Sequence, residues 1–99
     1  MGTAFRASGY IEFTDEFVSN ISEVIYTINK MYGMSNIEIE RLQEDRSVVK
    51  IDLFGNNGID YEPLKVILKK YQKHLSSPVT LSEWVESYGG LYYDPEEEE

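Results

Sequence analysis

The apolar residues near the start of the chain follow two different periods in succession. Over residues 5–13 every second residue is small or apolar, which is the period of a strand with one buried face. From Phe17 to Tyr32 the apolar residues instead recur every three or four positions, which predicts an amphipathic helix over 15–32 that Gly33 is placed to end. Such a strand and helix must bury their apolar sides together, so we expect a helix packed on a sheet.

The middle of the chain predicts a hairpin and a second helix. Apolar and charged residues alternate over 37–40 and again over 49–53, on either side of the polar turn QEDRS. GNNG at 55–58 then interrupts the pattern. Another stripe at helical spacing predicts a helix over 61–75, with Pro63 tolerated in its first turn.

The C-terminal part is ambiguous between helix and strand. A short third helix over 80–88 is favoured by four apolar residues at helical spacing: Leu81, Trp84, Val85 and Tyr88. A strand is the alternative for this stretch. LYY at 91–93 predicts a short final strand, and Pro95 followed by four glutamates predicts a disordered acidic tail over 95–99.

The predicted order of elements is β-α-β-β-α-(α)-β, which resembles the ferredoxin-like split βαβ plan. That resemblance implies an α+β fold with an antiparallel four-stranded sheet. Two main helices would lie on one face, and the other face would be open. With 99 residues, of which 41% are hydrophobic, we expect a single α+β domain over 1–94.

The charge of the chain limits its partners. The formal net charge is −9, so direct binding of nucleic acid or of an anionic membrane is not expected. The chain has no cysteine, which excludes disulfides and thiolate metal sites, and no stretch resembles a signal peptide or a membrane span. We therefore expect a cytoplasmic protein that binds a basic protein partner.

Residues able to carry catalysis are few. His74 is the only histidine, and its place near the end of the second predicted helix favours a role beside the helix dipole. GNNG lacks the lysine and hydroxyl residue of a phosphate-binding loop. Counted from Asp52, the following residues fail the calcium-loop register. We expect no catalytic residue, no metal site and no cofactor, and hence no enzyme.

Carboxylates and tyrosines form the candidate partner-binding surface. Alternation places four acidic residues on the open face of the predicted sheet: Glu12, Glu38, Glu40 and Asp52. Tyrosine is enriched where protein surfaces meet, and the same surface is predicted to include Tyr10, Tyr92, Tyr93 and Asp94. Alternation further predicts that one of the two adjacent tyrosines enters the core while the other lies on the open face.

Two functional hypotheses follow from this surface. In the first, a non-enzymatic acidic protein occludes a basic, nucleic-acid-binding surface of its partner. In size, charge and lack of catalytic motifs the chain resembles phage-encoded inhibitors of bacterial defence, such as anti-CRISPR proteins and restriction inhibitors that imitate DNA. In the second, a small structural or assembly subunit self-associates through its sheet or helices. Both a monomer and a homodimer remain open at this point.

Overall fold

Five strands and two α-helices make up the parts of the chain that the computed structural model describes, which are residues 4–33, 35–56, 58–83 and 90–96. In chain order the elements are β1 (Ala4–Glu12), a 3-10 helix (Asp15–Asn20), α1 (Ile21–Tyr32), β2 (Ile37–Arg41), β3 (Val48–Asn56), α2 (Glu62–Lys70), a second 3-10 helix (Gln72–His74), β4 (Val79–Glu83) and β5 (Gly90–Tyr93). No helix among these residues is long and apolar enough to cross a membrane.

The strands form one antiparallel sheet in the order β2-β3-β1-β4-β5. β1 lies at the centre, where it pairs with β3 along its whole length and with β4 over Ala7–Tyr10. Gly9 lies opposite Leu81 in this second pairing, and a Cβ atom at Gly9 would overlap the carbonyl oxygen of Thr80. The absence of a side chain at Gly9 therefore allows β1 and β4 to approach.

One hydrophobic core lies between the sheet and the two helices. The helices contribute apolar residues at helical spacing, namely Ile21, Val24 and Ile28 from α1 and Leu64, Ile67 and Leu68 from α2. Alternate residues of the strands supply the other side of the core, including Ile11, Ile51, Leu53 and Leu81, all at most 1% exposed. Gly33, at φ 80°, ends α1 as its sequence position indicated.

The predicted α+β class, with two main helices on an antiparallel sheet, is confirmed. The predicted helices over 15–32 and 61–75 are each part 3-10 and part α-helix. The four-stranded sheet is wrong, because the sheet has five strands and matches the ferredoxin-like plan only roughly.

The predicted third helix is also wrong where the structure describes it, since Val79–Glu83 is β4. Residues 84–88 lie outside the described part of the chain. Val79 and Leu81 are buried while Thr80 and Ser82 are exposed, so β4 follows the two-residue period. The carboxylate of Glu83, at the end of β4, accepts a hydrogen bond from the Tyr61 hydroxyl.

Candidate binding surface

The face of the sheet opposite the helices, which we call the open face, carries alternate residues of all five strands. Strand register arranges these residues in rows. One row contains Glu38, Asp52, Ser8, Ser82 and Gly90, and the next contains Glu40, Lys50, Tyr10, Thr80 and Tyr92. Within these two rows the acidic residues lie towards the β2 edge, and the exposed tyrosines lie on β1 and β5.

Asp52 is the centre of a polar cluster within the open face. Its Oδ1 accepts hydrogen bonds from Arg6 Nε at 3.2 Å, from Arg6 Nη2 at 3.1 Å and from the Ser8 hydroxyl. The Arg6 guanidinium also lies over the Phe54 ring, 5.7 Å from its centroid. Asp52 is buried, so its negative charge is compensated inside the protein rather than offered to a partner.

Glu38 and Glu40 differ from Asp52 because both are exposed. They lie two residues apart on the edge strand β2. Together with Asp52, Lys50 and Ile39 they border a hollow of about 270 Å³. Lys50 is directly opposite Glu40, so a cation is interleaved with the carboxylates. The hollow is suited to a cationic side chain that approaches from the β2 edge.

Glu12 and Asp94 accept hydrogen bonds from neighbouring groups at the surface. Glu12 Oε1 is 3.1 Å from the Ser77 hydroxyl, and Asp94 Oδ1 is 2.9 Å from the Glu96 amide. Both bonds are exposed, and a carboxylate has capacity for more than one donor. These two carboxylates can therefore still contact a partner.

The tyrosines divide between the two faces of the sheet. Tyr10 is 55% exposed and Tyr92 is 63% exposed on the open face. Tyr93 is half-buried on the helix side, where its hydroxyl donates to Gln72 Oε1 at 3.0 Å, and burial raises its pKa. Gln72 Nε2 in turn donates to the Pro95 carbonyl at 2.8 Å. The prediction that one of the adjacent tyrosines faces outward is confirmed, and Tyr92 is that residue.

The cluster around Asp52 could not be predicted from the sequence. Alternation placed Arg6, Ser8 and Asp52 on one face, but Arg6 and Ser8 are 46 and 44 residues away from Asp52 in the chain. Only the register of β1 against β3 brings them together. Alternation alone does not fix that register.

A second hollow, of about 320 Å³, lies between the end of α1 and the start of α2. The Tyr32 hydroxyl in its wall accepts a hydrogen bond from the Leu64 amide and donates one to the Asp60 carbonyl, each at 2.9 Å. Burial raises the pKa of Tyr32 to about 12, although the bond from Leu64 opposes the shift. Burial and the bond to Glu83 likewise raise the pKa of Tyr61. These hydroxyls connect elements of the fold.

His74, the single histidine of the chain, lies against an aromatic side chain. The His74 ring stacks on Phe17, with 4.3 Å between the ring centroids and 15° between the planes. Among the described residues, no group of three or more His, Asp or Glu side chains is arranged to hold a metal ion. On the open face, Tyr10, Tyr92, Glu38 and Glu40 are exposed and able to contact a partner.

Comparisons with protein-family models, with curated proteins and with solved structures find no match to the chain.

Proposed function

We propose that the chain is a non-enzymatic acidic protein that binds a basic partner protein through its open face and occludes a nucleic-acid-binding surface there. The observation that carries this proposal is the pair of exposed carboxylates on one edge strand, Glu38 and Glu40, beside a hollow. Strand geometry places them about 6.6 Å apart. A protein surface that binds nucleic acid presents Arg and Lys side chains, which this acidic edge can receive.

Exposed aromatic side chains support a protein as the partner. Tyr10 and Tyr92 offer apolar area with a hydroxyl at the tip, which is typical of protein interfaces. The net charge of −9 favours encounter with a basic surface and opposes binding of nucleic acid or an anionic membrane. The proposal places this activity in the cytoplasm.

An inhibitor of the phage anti-defence or anti-CRISPR type is the form of this function that we propose. It rests on the small size and acidity of the chain and on its lack of catalytic motifs. A uniform imitation of nucleic acid is less favoured than local acidic contacts, because Arg6 and Lys50 interrupt the carboxylates of the open face.

Self-association as a small assembly subunit is the alternative function. The edges of the sheet are β2, with five residues, and β5, with four. Strands this short are poor templates for edge-to-edge pairing, and charged residues on an edge oppose it further. Glu38 and Glu40 on β2 thus favour a basic partner over a second copy.

The proposal is tested by affinity capture from a bacterial lysate at low and at high salt. The baits are the original chain, the double variant Glu38→Lys with Glu40→Lys, and a control with the same change in charge, Glu16→Lys with Glu23→Lys. The control residues are exposed on the helix side. Exposed charges are screened over about 8 Å at physiological ionic strength, so captured proteins should decrease as salt rises.

We expect the original and control baits to retain the same basic protein, and the open-face variant to lose it. That protein, once purified, should bind the chain directly and bind nucleic acid. Equal capture by all three baits, or a captured protein without a basic surface, would contradict the proposal.

A further inference from the structure

Strand register implies a trough along β4 on the open face, between two exposed tyrosine side chains. Thr80 pairs with Tyr10 of β1 on one side and with Tyr92 of β5 on the other. The smaller Thr80 and Ser82 side chains, both exposed, form its floor. Two strand spacings separate the tyrosine backbones by about 9.6 Å, which leaves room for one extended chain. We call Tyr10, Thr80, Ser82 and Tyr92 the tyrosine trough.

One end of the tyrosine trough is acidic. Glu12 follows Tyr10 by two residues on the open side of β1, and its carboxylate accepts a hydrogen bond from Ser77, just before β4. At the same end, Asp94 comes directly after β5. A ligand that lies along β4 therefore meets carboxylates where the strand begins, and its complementary charge there is positive.

The backbone of β4 limits what conformation such a ligand can take. β4 is already paired with β1 and with β5, so its amides and carbonyls serve the two ladders. An extended peptide lying over an inner strand cannot add to the sheet as it could at an edge. An extended ligand at this place leaves its own backbone solvated, and a polyproline II helix is suited to this because it has no internal hydrogen bonds.

Proline-rich segments also match the walls of the trough. Grooves lined by aromatic side chains bind polyproline II segments, whose proline rings pack on the aromatic rings. The tyrosine hydroxyls can in addition donate hydrogen bonds to the solvated carbonyls of the ligand. One exposed tyrosine on either side of small residues therefore offers both kinds of contact.

We propose that the tyrosine trough binds a proline-rich peptide segment in the polyproline II conformation, with an Arg or Lys at the end nearest Glu12 and Asp94. This inference rests on the proposed function, because it states what kind of segment a basic partner presents. It adds a site that is separate from the Glu38 and Glu40 edge.

The test uses the full chain, labelled with ¹⁵N, and two synthetic peptides. The probe is an oligoproline that carries two arginines at one terminus, made in both orientations. The control peptide has the same arginines and length, with Gly and Ser in place of the prolines. We expect the oligoproline in one orientation to shift the amide resonances of Tyr10, Thr80, Ser82 and Tyr92, and the control peptide to bind at least about tenfold more weakly.

Variants separate the trough from general charge effects. Tyr10→Ala with Tyr92→Ala should weaken oligoproline binding at least about tenfold, because it removes both walls. Tyr26→Ala is the matched control, since Tyr26 is 66% exposed but lies on α1. Equal affinity for the two peptides, resonance shifts confined to other surfaces, or no effect of the double variant would overturn the inference.

The two proposals fail separately. If the oligoproline does not bind the trough but Glu38→Lys with Glu40→Lys still abolishes capture of the basic protein, this inference is wrong and the proposed function stands. If the oligoproline binds as expected while the charge reversal has no effect, the trough is a peptide site and the proposed function is wrong.

Discussion

Arg6 and Asp52 form an ion pair in the middle of the open face, with 3.1 Å between Arg6 Nη2 and Asp52 Oδ1. The side chain of Asp52 is 7% exposed and that of Arg6 is 39% exposed. The most buried carboxylate of the open face thus supports the fold, while Glu38 and Glu40 are free to meet a partner. Stability and binding should therefore respond to different substitutions on this surface.

Asp52→Ala is expected to lower the free energy of unfolding by about 2 kcal/mol, because it removes charge-assisted hydrogen bonds and leaves Arg6 without its partner. Glu38→Ala is the control, since Glu38 is opposite Asp52 but exposed, and it should change the free energy by less than about 0.5 kcal/mol. Urea unfolding of the two variants measures both values. Equal effects of the two substitutions would show that the cluster contributes nothing to stability.

Gly9→Ala tests the pairing of β1 with β4. The added methyl group would meet the Thr80 carbonyl oxygen, so we expect a loss of about 2 kcal/mol in the free energy of unfolding. Ser82→Ala, on the exposed side of β4, should stay within about 0.5 kcal/mol of the original. If Gly9→Ala is as stable as Ser82→Ala, β1 and β4 do not approach as described.

The raised pKa of Tyr32 predicts a loss of stability at alkaline pH. Its pKa is about 12 in the folded chain and about 10 in the unfolded chain, so the unfolded state releases the proton first as pH rises. The contribution of Tyr32 is complete below pH 10 and is lost as pH rises through about 12. Urea unfolding across this range should show a smaller alkaline loss for Tyr32→Phe. A loss as large as that of the original chain would contradict the assignment.

The acidic tail is expected to affect association and not folding. Removal of residues 96–99 deletes four glutamates. It also deletes the exposed hydrogen bond from the Glu96 amide to Asp94. The free energy of unfolding should change by less than about 0.5 kcal/mol. Stopped-flow association with the basic partner should slow modestly at low salt and be unchanged at high salt. A truncated chain that fails to fold would show that these glutamates have a structural role.

The elements with a clear period could be predicted, and the exceptions have identifiable causes. The stripe from Phe17 to Tyr32 led to a correct helix because one face of it is buried. Leu81 belongs equally to a helical and to an alternating pattern. This segment is a strand because it pairs with β1 on one side and with β5 on the other. That pairing could not be predicted from the local spacing of apolar residues.

The sequence was enough to predict on which face of the sheet the candidate residues lie, but not which of them contact each other. Alternation correctly placed Tyr10, Glu38 and Glu40 on the exposed side of the sheet. It did not show that Asp52 is paired with Arg6, because the register of distant strands depends on packing across the whole core. Which carboxylates are free is a property of the folded chain.

Competition for the basic partner tests the central claim most directly. Glu38 is opposite Asp52 and Glu40 is opposite Lys50. Substitution by Lys therefore places unlike charges opposite each other at the first position and like charges at the second. Because these two effects have opposite signs, the double variant should fold with nearly unchanged stability. The measurement is the apparent Kd of the purified partner for nucleic acid at increasing concentrations of the chain. The original chain and Glu16→Lys with Glu23→Lys should raise that Kd, while Glu38→Lys with Glu40→Lys should not. The account would be contradicted if the original chain bound the partner but left its apparent Kd for nucleic acid unchanged. It would also be contradicted if the original chain and both variants competed equally.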